Sequence, residues 1–193
     1  MTEDEAGSDA ELALQAQSGE KRAFDKLVQR HKGPLFRFVR RYVGNEDDAY
    51  DILQDTFISA WLALGRYRRD TPFLAWLRAI ALNKCRDLGR RQTVRRRFLR
   101  MIGFYDPDSS TDKESEVHID EDAFEGKRLA RLDQAIAALP PFYKEPLLLT
   151  TVTGLSQQDA ARQLHTSTKA IEMRIRRAKK KLGEALSDLK KEG

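Results

Sequence analysis

An all-α fold made of two small helical domains is what this chain predicts, on three observations. Helix formers dominate the apolar set, with 23 Leu and 21 Ala against 6 Val and 8 Ile, and β-branched residues are the ones a sheet would need. Apolar residues recur at three- and four-residue spacing between polar caps, Gly and Pro. Charge divides the chain into blocks: residues 1–97 carry 19 basic and 14 acidic groups, residues 98–126 carry 2 and 9, and residues 127–193 carry 14 and 7. Two basic units at 10–97 and 127–190 thus flank an acidic tether at 98–126. The tether is rich in Asp, Glu and Ser with little helical periodicity, the composition of a segment that buries too little to offset its ordering entropy.

In the first unit, Ser18–Gln29 starts with a polar cap and puts Phe24, Leu27 and Val28 on one face. Gly33-Pro34 then predicts a break, with Pro34 opening a second helix over Leu35–Val43. Asn45 caps the next helix, whose first turn holds Glu46, Asp47 and Asp48, where the helix dipole favours anions. Its apolar face comprises Ala49, Ile52, Leu53, Phe57, Ala60, Trp61 and Leu64. The basic connection GRYRRD leads to Thr71 as a cap, Pro72 at the first helical position, and the helix FLAWLRAIALNKCRDLGRR.

The second unit opens with Arg128–Leu139, stopped by Pro140-Pro141, and continues with a helix from Phe142 to Val152. Ser156 and Asp159 form an S-x-x-D start on QQDAARQL, the turn HTST follows, and a long basic helix, KAIEMRIRRAKKKLGEAL, ends the unit. Ala161, Leu164, Ile171 and Ile175 fall where a helix-turn-helix needs a small residue and three apolar ones to pack its two helices together. His165 takes the turn position where many such motifs have Gly.

Several function classes are excluded by this inventory. The longest charge-free stretch, Pro146–Gln158, is 13 residues, short of the ~20 needed to span a membrane, and the acidic start MTEDEAGSDAE has no export-signal pattern. Neither membrane insertion nor export is expected. Cys85 is the sole cysteine and His31, His118 and His165 are far apart, so neither a disulfide nor a metal-ligand spacing exists. A cytoplasmic protein with no metal and no cofactor is expected. There is no Gly-rich phosphate loop and no nucleophile-and-base set, so no enzymatic activity and no small-molecule substrate are expected.

Three constellations remain. Glu172, Met173, Arg176, Arg177, Lys179 and Lys180 lie on the side of the second helix of the helix-turn-helix that enters a major groove, where Arg and Lys address guanine edges or phosphates. A merely solvated basic face is the plainer alternative. From Arg66 to Arg97, basic groups interleave with Tyr67, Phe73 and Trp76, a pattern used on single-stranded nucleic acid. Phe73, Leu74, Trp76, Leu77, Ile80 and Ala81 read as core, leaving Asn83, Arg86, Arg90 and Arg91 on a shared polar face as the better candidates. Finally, Asp48, Asp51, Gln54 and Asp55 form an acidic edge at helical spacing, which an ordinary solvated face also shows.

Two separated stretches resemble one family, the small extracytoplasmic-function (ECF) sigma factors of bacterial RNA polymerase. DDAYDILQDTFISAWLALGRYRRDTPFLAWLRAIALNKCRDLGRR is similar to region 2 of that family, and LDQAIAALPPFYKEPLLLTTVTGLSQQDAARQLHTSTKAIEMRIRRAKKKL to its region 4. The resemblance implies a two-domain initiation factor whose partners are core RNA polymerase, promoter DNA and an anti-sigma factor protein. It implies that Asp48, Asp51, Gln54, Asp55 and Phe57 belong to the helix docking on core polymerase. The loop with Arg66, Tyr67, Arg68 and Arg69, together with Asn83, Lys84, Arg86, Arg90 and Arg91, is implied to hold the melted minus-ten strand. Glu172, Met173, Arg176, Arg177, Lys179 and Lys180 are implied to read the minus-thirty-five duplex. A stand-alone helix-turn-helix regulator with a sensing first domain is the competing reading, and it needs a dimer interface and palindromic half-sites. The acidic tether is expected to be drawn towards the two basic domains in the free chain, closing it.

Overall fold

The computed structural model describes residues 7–101 and 131–188. Beyond Met101 the expected acidic tether lies outside the described residues, as does the start of the helix expected from Arg128.

Helix α1, Asp9–Gln17, begins with a capping box: Ser8 Oγ accepts from Glu11 N at 3.2 Å while Ser8 N donates to Glu11 Oε2 at 2.7 Å. The Ser8 backbone N–H, and then its side chain, hold the Glu11 carboxyl below the usual carboxylate range. The helix buries Leu12, Ala13 and Ala16.

The expected break at Gly33-Pro34 does not occur. Helix α2 runs unbroken from Lys21 to Val43 with Pro34 inside it, and its first helical residue follows Glu20 rather than Ser18. The reason is tertiary: Phe24, Leu27, His31, Leu35, Phe38 and Tyr42 form one buried stripe at helical spacing that crosses the proline. A proline in a helix interior costs about 3 kcal/mol, whereas each large apolar side chain buried yields about 1.5–3 kcal/mol, so the common stripe outweighs the lost bond. The helix ends at Gly44, whose φ of 80° is left-handed and whose N–H donates to Arg40 O.

Asn45 caps α3, Glu46–Ala63, as the sequence predicts, its Oδ1 accepting from Asp48 N at 2.9 Å. The buried face holds Ala49, Ile52, Ala60 and Leu64 as expected, with Leu53 and Phe57 packed partly buried against the core; Thr56 joins it, and Trp61 is 37% exposed. Thr56 is tolerated there because its hydroxyl donates to Ile52 O at 2.6 Å. After the 3₁₀ turn Leu64–Arg66, Gln17 Nε2 of α1 donates to Leu64 O and Tyr67 O and pins the connection. In α4, Phe73–Met101, the first helical bonds go to Pro72 O, from Ala75 N and Trp76 N. Pro72 therefore takes the cap place expected for Thr71. The helix also continues four residues past the expected domain end at 97.

In the second half, α5 covers residues 131–138, α6 Pro141–Thr151, α7 Gln157–Gln163 and α8 Thr168–Asp188. Helix α6 is buried from Lys144 to Leu149 without interruption, so it forms the spine on which α7 and α8 pack. Ser156 Oγ accepts from Asp159 N at 3.1 Å and starts α7 as expected. The turn to α8 puts His165 at φ 50°, the left-handed conformation that explains why Gly is common at such a place. Ala161 and Ile171 are buried and Ile175 is 9% exposed, so the helix-turn-helix packs through the anticipated residues. Among the described residues no helix is long and apolar enough to cross a membrane.

Candidate polymerase and nucleic-acid interface

Because Ala49, Ile52, Thr56 and Ala60 turn inward, the outer side of α3 carries Asp51, Gln54 and Asp55 exposed, with Asp48 and Phe57 half-buried. Asp51, Asp55, Ile58 and Leu62 follow at four-, three- and four-residue spacing, one stripe in which two carboxylates precede two apolar side chains 59% and 80% exposed. Burial, reinforced by Asp51 and Asp47, holds the Asp48 carboxyl above the ordinary carboxylate value, and Gln92 Nε2 donates to its Oδ2 at 3.4 Å in partial compensation. The acidic and basic candidates also meet: Asp48, Asp51 and Asp55 line one open cleft with Lys84, Asp87 and Arg91 of α4.

On α4 the candidates stand in different states. Asn83, Arg90 and Arg91 are exposed and Lys84 is half-buried. Arg90 pairs with Asp87. In the preceding loop Arg66, Arg68 and Arg69 are exposed, with Arg68 3.4 Å from Asp70. Tyr67 is only 7% exposed, packed on Phe73 and Trp76, and its hydroxyl donates to Thr71 O at 2.8 Å. Phe73 is buried, as the sequence reading has it. The loop and α1 together form a second concavity, lined by Tyr67, Arg69, Pro72, Phe73, Arg30 and the α1 start at Ser8–Ala10. The contribution of α1 to that concavity had no sequence signal beyond its capping box.

Helix α8 presents Glu172, Arg176, Arg177, Lys179 and Lys180 to solvent, with Met173 half-buried. Its opposite face buries Ile171, Ala178 and Leu182. Ser167 Oγ accepts from Ala170 N and begins the helix. Arg174 turns away from the exposed face, its guanidinium 3.8 Å from the centre of the Phe142 ring.

Sequence reasoning missed one cluster, between the two halves. Glu145 of α6, its side chain 9% exposed, takes a two-pronged bond from Arg86 of α4: Nε to Oε1 at 2.7 Å and Nη2 to Oε2 at 2.5 Å. Tyr42 OH of α2 donates to Glu145 Oε1 at 3.2 Å. Lys144 Nζ donates to Tyr42 O at 2.9 Å and Ala137 O at 2.5 Å, carbonyls in the last turns of α2 and α5, so one ammonium caps two helix C-termini. Burial lowers Lys144 to about 8 and pushes the adjacent Cys85 thiol up to about 12. Burial, then Glu145, raises the Tyr42 phenol, while the Glu145 bond raises Arg86. Arg41–Asp133 at 3.3 Å and Arg78 Nη1 to Thr153 O at 3.5 Å complete the contact. The signal that could have found it is a Lys-Glu pair inside an otherwise apolar helix, PPFYKEPLLL.

Comparison with known proteins accounts for both halves. A family model for Sigma-70 region 2 matches residues 27–95, and one for Sigma-70, region 4 matches residues 129–182. The RNA polymerase sigma factor CnrH of Cupriavidus metallidurans is 39% identical over 180 residues, covering 93% of this chain and 94% of that protein. The RNA polymerase sigma-H factor of Pseudomonas aeruginosa is 32% identical over 201 residues, covering 95% and 96%. Among solved structures, that of CnrH in complex with the cytosolic domain of CnrY superposes with a TM-score of 0.67 at 36% identity, covering 94% of this chain and 99% of that one. The chain belongs to the ECF group of RNA polymerase sigma factors.

Proposed function

We propose that the outer stripe of α3 docks on core RNA polymerase, that Asn83, Lys84, Arg86, Arg90, Arg91 and the Arg66–Arg69 loop hold the melted minus-ten strand, and that α8 reads the minus-thirty-five duplex. Residues 10–97 and 127–190 act as the two domains of this division, joined by the tether at 98–126. The observation that carries the reading is the stripe Asp51, Asp55, Ile58 and Leu62, exposed on a helix whose back is wholly packed. Two carboxylates beside uncovered apolar surface fit a protein partner with basic and apolar groups, whereas phosphate would be repelled. DNA then goes to the basic faces of α4 and α8. The relative CnrH is solved with the cytosolic domain of CnrY; an anti-sigma protein that covers these same faces fits this chain as its regulator.

Transcription from a cognate promoter by added core polymerase tests the whole reading. Asp51→Arg with Asp55→Arg is expected to abolish core binding in a pull-down while helicity by circular dichroism stays normal, because both positions face solvent. Unchanged affinity for core in that folded variant would remove α3 as the docking helix.

A further inference from the structure

The contact between the halves uses a residue that the proposed function needs elsewhere. Arg86, its side chain 37% exposed, is the minus-ten candidate whose Nε and Nη2 both bond one carboxylate, the two oxygens of Glu145, while its Nη1 lies 3.3 Å from Asn83 Oδ1. Carboxylate and phosphate offer that fork the same chemistry, two anionic oxygens in a plane. We infer that Glu145 is an internal phosphate mimic: it latches the second half over α2 and α4, occupies Arg86 and orients Asn83, and must leave before single-stranded DNA can bind there.

The surroundings support a latch that opens as a unit. Glu145 is held on one side by Arg86 and on the other by the Tyr42 hydroxyl, and its neighbour Lys144 spans to Tyr42 O. Thus the groups that grip α6 come from α2 and α4, the helices of the first half. Gly44 makes the approach close: a Cβ on it would lie 2.5 Å from Ala137 Cβ, so the backbone of the first half seats directly against α5. Since strand and Glu145 compete for one guanidinium, closure and strand binding oppose each other by the same factor. A free chain is therefore self-occluded, and core polymerase, by engaging the two halves separately, releases Arg86 where it is needed. This rests on the reading of Arg86 as a strand contact.

The test uses the full chain. Glu145→Ala leaves Arg86 without its carboxylate and is expected to raise the radius of gyration in small-angle scattering and to tighten binding of a minus-ten single-stranded oligonucleotide by free protein at least tenfold. Ala137→Leu wedges the halves apart at Gly44 without touching a charge and should do the same, which keeps the test valid if Glu145→Ala loses helicity. A gain in affinity is the decisive readout, because mere structural damage lowers it. Unchanged compaction in both folded variants overturns the latch, and opening without tighter oligonucleotide binding overturns the mimicry. Transcription by the wild-type chain with core polymerase judges the sigma-factor reading independently: if it proceeds while the variants show no gain, the latch alone is wrong.

Discussion

His31 is 6% exposed, its ring 5.6 Å from that of Phe73 and its Nε2 2.7 Å from Asp9 Oδ2. Burial lowers its pKa below the ordinary 6.5; Asp9 works against that shift, and Arg30 and Arg78 add to it. A depressed histidine binds fewer protons folded than unfolded, so its contribution is complete above pH 6.5 and is lost as pH falls through the folded value. Unfolding free energy should decline below pH ~6.5 with up to about 1.4 kcal/mol per pH unit from this group. His31→Gln should flatten the fall in denaturant-derived stability as pH drops below ~6.5; superimposable profiles would assign the slope elsewhere. The role of His31 was not legible in the sequence, where it was one of three scattered histidines, because its partner sits on a helix, α1, that brings Asp9 back over α2. His165 was legible, since the constraint on it is local: a turn of fixed length with φ 50°.

At the scale of elements, the caps expected at Ser18 and Thr71 fall instead at Glu20 and Pro72, while two others stand where the sequence puts them. Asn45 and Ser156 cap where expected because an N-cap is decided by a side chain and the backbone three residues on. Pro34 misled for the complementary reason: its penalty is local, but the stripe from Phe24 to Tyr42 that overrides it exists only against α1, α3, α4 and α6. The Lys144-Glu145 cluster was hidden because its partners lie 59 residues away at Arg86 and 102 away at the Tyr42 carbonyl. Helix α8 belongs to the legible class, with Ile171 and Ile175 inward and Arg176 and Arg177 outward. Arg177→Ala should therefore leave the fold intact and weaken duplex binding by region 4. The loss is about 1–3 kcal/mol and confined to one base pair if a base edge is read, or uniform over sequences with a salt slope shallower by about 1 if a phosphate is held. Titration against matched and mismatched duplexes at two ionic strengths separates the two, and no loss on any duplex would exclude Arg177 from the interface.

For the whole molecule, a closed arrangement is expected from an acidic tether drawn to basic domains; that tether lies outside the described residues beyond Met101, and the described halves meet through their own surfaces at Arg41–Asp133, Arg86–Glu145 and the Gly44–Ala137 approach. Lys144 gives this closure a calorimetric signature. Its single ammonium bonds the last turns of both α2 and α5, so the two helix ends share one partner. Two units that share an end group in this way should absorb heat as one: the wild-type chain is expected to melt in a single peak whose van't Hoff and calorimetric enthalpies agree. Lys144→Met keeps a long flexible stem under the Tyr42 ring but gives back both carbonyls to water, and should split that peak in two. A single undivided peak in the folded Lys144→Met chain would show that the halves owe their cooperativity to other contacts. In the split case the temperature interval between the peaks reads directly how much of each half's endurance is borrowed from its neighbour.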